Sequence, residues 1–293
     1  MKIAVLDIGG TAIKSGVFEN GELSERKELP ANARLGGLHL METAKKIIAE
    51  HSGLDCIGIS TAGQVDSEQG IIKYANQNIP DYTGIKIQEI FQETFNVPVV
   101  VENDVNAAAI GEAVFGNGQI AKDKNFLCLT YGTGIGGAVV IDGKIFKGAS
   151  FSAGEIGHII THGSKTCPGY YEKYASTAAL VKNVQAVLPE LDDGRKIIMN
   201  LEQAAVREIV DKWIDEILYG LASLIHIFNP SLIILGGGIM KEAYVIESLR
   251  KKIHSYIMPS FGDVILASAA LGNDAGLWGI GYLAGLKTGR KND

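Results

Sequence analysis

Val5-Leu6-Asp7-Ile8-Gly9-Gly10-Thr11-Ala12-Ile13-Lys14-Ser15-Gly16-Val17-Phe18 decides how this chain is read. It runs as an apolar strand, a glycine-rich turn and a second strand that closes at Asn20-Gly21, a strong hairpin signal. Glycines let backbone N–H groups approach an anion, and a carboxylate at the strand end, here Asp7, can hold a metal or its water. The stretch suggests a site for nucleotide phosphate with magnesium. The plain alternative is a tight hairpin with incidental polar residues.

The rest of the 293 residues gives this motif a setting. Hydrophobic residues make up 46% and charged residues 20%, which describes a globular chain rather than a disordered one. A net charge of −6 argues against a nucleic-acid surface. Cys56, Cys128 and Cys167 are too few and too scattered for a disulfide framework. The first apolar run is short and interrupted by Asp7, so no secretory segment is read. Leu221 to Leu235 is broken by His226, Asn229 and Pro230, so no membrane span is expected. The expectation is a cytoplasmic protein.

In chain order, Leu23 to Pro30 reads as a third strand and His39 to His51 as a helix. Strand Cys56 to Ser60 runs into the small-residue loop Thr61 to Asp66, and helix Ile85 to Phe95 precedes strand Val99 to Val101. Glu102-Asn103-Asp104 then leads into an alanine-rich helix, Val105 to Ala113. Strand Phe126 to Thr130 enters Tyr131-Gly132-Thr133-Gly134-Ile135-Gly136-Gly137, and its return strand closes at Asp142-Gly143. Gly148 to Gly169 reads as a loop, Glu172 to Leu188 as a helix and Leu201 to Phe228 as a long helix in one or two pieces. Strand Ser231 to Leu235, ending in Gly236-Gly237-Gly238, precedes a helix at Lys241 to Tyr256. Strand Val264 to Ala267 and a final helix from Asp274 complete the chain.

The chain also repeats itself. A shift of 122 positions lays Gly10, Thr11, Val17 and Gly21 on Gly132, Thr133, Val139 and Gly143. A shift of 175 lays Ile57 to Ile59 and Gly63 on Leu232 to Ile234 and Gly238. Two related α/β halves, each with a Gly-Thr turn, are expected to clamp a nucleotide between them.

These motifs, in order, resemble the ROK family of sugar kinases (repressor, open reading frame, kinase). The carriers are Leu6 to Thr11 with Lys14, Glu102 to Ala108, Tyr131 to Gly137, Gly154-Glu155-Ile156-Gly157-His158, Glu172 to Ser176, and Leu235 to Gly238. The resemblance implies an α/β, two-domain duplicated ribonuclease H-like (actin-like ATPase) fold with an interdomain cleft. A small domain, 1–117, would be completed by the C-terminal helix region 274–293, and a large domain would span 118–273. It implies ATP-dependent phosphoryl transfer to a sugar hydroxyl, commonly the 6-hydroxyl of a hexose, with ATP and Mg2+ as cofactors.

By the same resemblance, Asp104 is the general base that accepts the hydroxyl proton. Its alternative reading is a helix cap. Asn103, Glu155, His158 and Glu172 are implied as sugar partners, with Ala62, Gly63 and Asn78 lining the same site. For Asn103 the alternative is an ordinary turn asparagine, and for His158 a structural histidine. Gly9, Gly10, Thr11, Gly132, Thr133 and Gly134 fall to the ATP phosphates, Gly236, Gly237 and Gly238 to adenosine, Asp7 to magnesium, and Lys14 to the transferred phosphate. The family often forms homodimers.

One departure bears on substrate. Many ROK kinases hold a structural zinc with a histidine and a three-cysteine run. Here Thr161 to Glu172 is shortened, Tyr170 stands where the last cysteine would be and only Cys167 remains. No structural zinc is expected, since a closed site needs four ligands and His158, His162 and Cys167 would supply three. The degenerate loop is similar to the β-glucoside kinase branch, whose substrates are cellobiose-type disaccharides. Glucokinase, N-acetylmannosamine kinase and, outside enzymology, a sugar-sensing regulator are the alternatives.

Overall fold

The opening stretch forms two strands, β1 (Lys2–Ile8) and β2 (Ala12–Glu19), paired antiparallel with Asp7 opposite Lys14. The computed structural model describes residues 1–164 and 167–289. These fall into two units. One comprises Met1–Phe115, Lys147–Ala153 and the stretch from Asn273; the other comprises Gly116–Phe146 and Gly154–Gly272.

In the first unit Asn20 and Gly21 both take positive φ, 52° and 81°, as the tight turn into β3 (Glu22–Pro30) requires. Helix α1 (Gly37–Ala49) buries Leu40, Met41, Ala44, Ile47 and Ile48. Then come β4 (Cys56–Thr61), the short hairpin β5 (Gln64–Asp66) and β6 (Ile71–Tyr74), α2 (Ile87–Phe95), β7 (Val99–Asn103) and α3 (Asp104–Phe115). The sheet order is β3-β2-β1-β4-β7, with β1, β4 and β7 parallel. β1 reads as one apolar run because both its faces are covered. Ala4, Leu6 and Ile8 pack with α1 and α2 residues, whereas Ile3 and Val5 pack with Phe18, Leu277 and Ile280.

The second unit repeats the plan. Strands β8 (Phe126–Tyr131), β9 (Ile135–Ile141) and β10 (Lys144–Ile145) are followed by the hairpin β11 (Ile160–Ser164) and β12 (Cys167–Tyr170). Helices α4 (Glu172–Ala175), α5 (Thr177–Gln185), α6 (Gly194–Met199) and α7 (Ala204–Phe228) lead to β13 (Leu232–Gly236), α8 (Ala243–Ile253) and β14 (Ile265–Ser268). The sheet order β10-β9-β8-β13-β14 matches that of the first unit. The last helix, α9 (Ala275–Lys287), belongs to the first unit and lies against α3. A Cβ at Gly279 would collide with the Ala107 carbonyl, so the close helix crossing depends on that glycine.

Several expectations change. With the return strands held at 122, the pairs Ile8↔Ile13 and Tyr131↔Ile135 put β1 on β8 at 123, and the pairs Ile3↔Cys56 and Phe126↔Leu232 then put β4 on β13 at 176 rather than 175. The return strands keep 122, as Glu19↔Glu22 and Ile141↔Lys144 show. The cause is turn length: four residues separate paired Ile8 and Ile13, and three separate Tyr131 and Ile135. Residues 148–169 are not all loop, because they contain the β11–β12 hairpin. The helix expected over 172–188 breaks at Ser176, whose side chain caps α5 by accepting the Ala179 N–H. The long helix is one piece, and α6 carried no clear sequence signal. Lys147–Ala153 groups with the first unit, so the second does not run unbroken from 118 to 273.

Candidate active site

The corner where β7 meets α3 carries Asn103 and Asp104. Asn103 Oδ1 accepts the backbone N–H groups of Val105 (2.9 Å) and Asn106 (3.0 Å). Its Nδ2 donates to the Gly63 carbonyl (3.0 Å) and to Asp104 Oδ1 (2.9 Å). Two donors and two acceptor positions are all the amide has, so Asn103 is engaged as the cap and as the clamp on Asp104. Asp104 Oδ1 also accepts the Val105 N–H (2.9 Å). Burial pushes the Asp104 carboxyl up to about 7, the negative charge of Asp7 adds to the rise, and the hydrogen bonds from Val105 and Asn103 oppose it. A carboxylate so poised can take a proton near neutral pH.

Asp7 is fixed from two sides. Ser60, fully buried on β4, donates through Oγ to Asp7 Oδ1 at 2.7 Å. Lys14 Nζ stands 3.6 Å from Asp7 Oδ2 and donates to the Asn273 carbonyl at 2.9 Å. Burial raises the Asp7 carboxyl despite Ser60 and Lys14, which lower it. Beside it, Gly9 closes the turn through its N–H to the Ala12 carbonyl (3.0 Å), and a side chain added at Gly10 would meet nothing within 4 Å. A single carboxylate beside an open glycine turn suits magnesium, which binds through one or two carboxylates plus substrate phosphates and water. Ala62 and Gly63 form the turn between β4 and β5, and Asn78 lies exposed in the loop after β6. That loop is anchored by the buried Tyr82 hydroxyl, 2.7 Å from Thr61 Oγ1.

In the second unit the Gly132-Thr133-Gly134 turn joins β8 to β9, with the Gly132 N–H donating to the Gly134 carbonyl (3.0 Å). The α5 N-terminus docks on it: the Ala178 N–H reaches the Gly132 carbonyl (3.1 Å) and Thr177 Oγ1 the Tyr131 carbonyl (3.1 Å). Glu172, at the start of α4, accepts the Ile135 N–H at 3.4 Å, and a Cβ at Gly134 would stand 2.6 Å from Glu172 Oε2. Glu172 therefore belongs locally to the glycine turn. Glu155 and His158 are exposed and paired, Oε2 to Nδ1, at 3.7 Å, and the His158 ring lies 5.5 Å from the ring of Tyr170. Gly236 ends β13, Gly237 takes φ +109°, and Gly238 opens a 3-10 turn.

Of the residues weighed for zinc, His162 Nε2 lies 3.5 Å from Glu216 Oε2 and its ring stacks on Tyr174 at 4.4 Å, while Cys167 is exposed. Lys165 and Thr166 of that run lie outside the described residues. Among the described residues no three His, Cys, Asp or Glu side chains stand together as a metal site. Sequence reasoning missed Ser60, Tyr82, Thr177 and Glu102. Of these, Glu102 left a signal: a carboxylate directly following the apolar run Val99 to Val101.

Two α/β units with one strand order and a glycine turn at the same place in each define the duplicated actin-like ATPase fold. A family model described as "ROK family" matches residues 3–286. The chain is 34% identical over 294 residues to a β-glucoside kinase of Listeria monocytogenes, covering 96% of this chain and 97% of that one. A candidate N-acetylmannosamine kinase of the same organism superimposes with a TM-score of 0.89 at 29% identity, over 98% of this chain and 99% of the other. A ROK glucokinase of Streptomyces griseus, solved with glucose and AMPPNP, gives a TM-score of 0.83 at 29% identity, over 97% and 99%. The chain belongs to the ROK family, and these relatives are named as sugar kinases. Among the described residues no helix is long and apolar enough to cross a membrane.

Proposed function

We propose that this chain is an ATP-dependent kinase that transfers the γ-phosphate to the 6-hydroxyl of a glucosyl unit, with cellobiose-type β-glucosides as preferred acceptors. The observation that carries the reading is Asp104, a clamped carboxylate raised to about 7 at a strand–helix corner. Asp104 accepts the proton of the attacking hydroxyl, and Asn103 keeps its carboxylate in one orientation. Glu155, His158 and Glu172 take the sugar hydroxyls, where an unmatched polar group would cost binding. The amides around Gly10, Thr11, Gly132 and Thr133 receive the phosphates, Lys14 offsets their charge, and Gly236 to Gly238 receive adenosine. Asp7 would hold magnesium, which would supply positive charge to offset that of the phosphate oxygens.

The preference for β-glucosides is supported by the similarity to the Listeria β-glucoside kinase and by the shortened run from Thr161 to Glu172. The glucokinase and N-acetylmannosamine kinase neighbours support a monosaccharide acceptor as the second reading. A coupled assay with glucose, N-acetylmannosamine, fructose, cellobiose and gentiobiose separates them. The highest kcat/KM is expected for a disaccharide. A higher value for glucose or N-acetylmannosamine overturns the β-glucoside preference, and sugar binding with no ATP turnover overturns the kinase reading in favour of a regulator.

A further inference from the structure

Glu102 is a buried carboxylate beside the Asp104 corner. It is 4% exposed, yet it carries a carboxylate at the end of a strand whose preceding residues are all valine. A buried carboxylate is costly unless hydrogen-bonded and paired. Its Oε1 accepts the backbone N–H of Asn103 (2.9 Å) and Nδ2 of Asn106 (3.1 Å), tying the strand end to the first turn of α3 across the corner that bears Asp104. Its Oε2 faces Lys147 Nζ at 3.6 Å. The same ammonium donates to Ser67 Oγ at 2.6 Å, just beyond β5.

Lys147 opens the strap Lys147–Ala153, the piece of chain that groups with the first unit although its flanks do not. The strap closes on itself through the Ala153 N–H to the Lys147 carbonyl (3.1 Å). A second anchor runs from Ser152 Oγ to Gln64 Oε1 (2.9 Å), the residue after Gly63, whose own carbonyl holds Asn103. Phe151 between these anchors sits at φ +61°, a left-handed conformation that a bulky side chain adopts only where its surroundings enforce it. Gly154-Glu155 follows directly in sequence.

We propose that Lys147 is a positioning residue for the reaction. By neutralising Glu102 it fixes the corner that aims Asp104, and it does so from the strap leading into the Glu155–His158 run. This rests on the kinase reading above. Lys147→Met strands the Glu102 carboxylate without its cation, and the corner loosens. Glu102→Gln combined with Lys147→Met removes both charges and keeps an acceptor for the Asn103 N–H.

The test measures kcat and KM of wild type, K147M, K147R and E102Q/K147M, with ATP and with both glucose and cellobiose as acceptors. K147M is expected to lose at least tenfold in kcat with KM for ATP within twofold of wild type. K147R and the double variant are expected to return to within about threefold of wild-type kcat. Wild-type kcat in K147M overturns the proposal, as does a double variant no better than K147M. Should K147M fail to fold, a folded and active double variant supports the coupling and an unfolded one overturns it. A wild-type protein that turns over none of the five sugars of the coupled assay defeats the kinase reading instead, so the two failures are distinguishable.

Discussion

Replacing Asp104 with asparagine is expected to make the protein more stable and nearly inactive at once. The ordinary aspartate value of 3.8 rises to about 7 here, chiefly through burial, so the folded state holds a proton that the unfolded state releases between those pH values. Stability therefore falls as pH rises from about 4 to about 7, and the full penalty stands above 7. Three pKa units at about 1.4 kcal/mol each give about 4 kcal/mol as an upper figure. Asparagine keeps an oxygen for the Val105 N–H and for Asn103 Nδ2 while carrying no charge. D104N should thus gain about 2–4 kcal/mol at pH 8, and under ~2 kcal/mol at pH 5. Removing a general base should lower kcat by about 10²–10⁴-fold, and wild-type kcat should climb with pH through a midpoint near 7. Urea unfolding at pH 5 and 8, beside a coupled kinase assay over pH 5.5 to 8.5, measures both effects. A variant less stable than wild type at pH 8, or one with kcat within tenfold of wild type, would refute the reasoning.

Two further expectations concern the surroundings of that site. Gly279→Ala gains about 1 kcal/mol of helix propensity but drives a methyl into the Ala107 carbonyl, for a net loss of about 1–3 kcal/mol in urea unfolding; an unchanged midpoint would contradict the tight crossing. Ser60→Ala removes the buried hydroxyl that lowers the Asp7 pKa, so a loss of about 1–3 kcal/mol is expected, larger at pH 8 than at pH 5. An equal loss at both pH values would show that the hydroxyl does not act through the charge on Asp7.

The parts of the fold legible in the sequence were those set by local rules. Asn20-Gly21 and Asp142-Gly143 mark hairpins because both residues of each turn need positive φ. The stripe Leu40, Ala44, Ile47 and Ile48 marks α1 because one helix face is buried. What escaped depended on contacts distant in sequence. Nothing between Gly148 and Ala153 announces that this stretch anchors to Gln64, and Ser176 breaks a helical pattern only because its side chain caps the next helix. The single-residue difference between the two glycine turns was invisible to a rigid shift, because inserting a residue in a turn re-registers one strand and leaves its partner in place. The role proposed for Asp104 comes from its motif. The division of labour with Asn103 needed geometry, since the order Asn-Asp does not say which side chain caps and which is clamped.

The return of α9 to the first unit sets an order of events on the ribosome. Residues emerge from the N-terminus onward, so Ile3, Val5, Phe18 and Cys56 are made more than 200 residues before their cover of Leu277, Ile280 and Ala284. The sheet of the second unit has its last strand by Ser268. The first unit has all five strands by Asn103, yet one face of its sheet waits for α9 until after the second unit has its last strand. That waiting surface is apolar, and transiently exposed apolar surface of this kind promotes aggregation of a nascent chain.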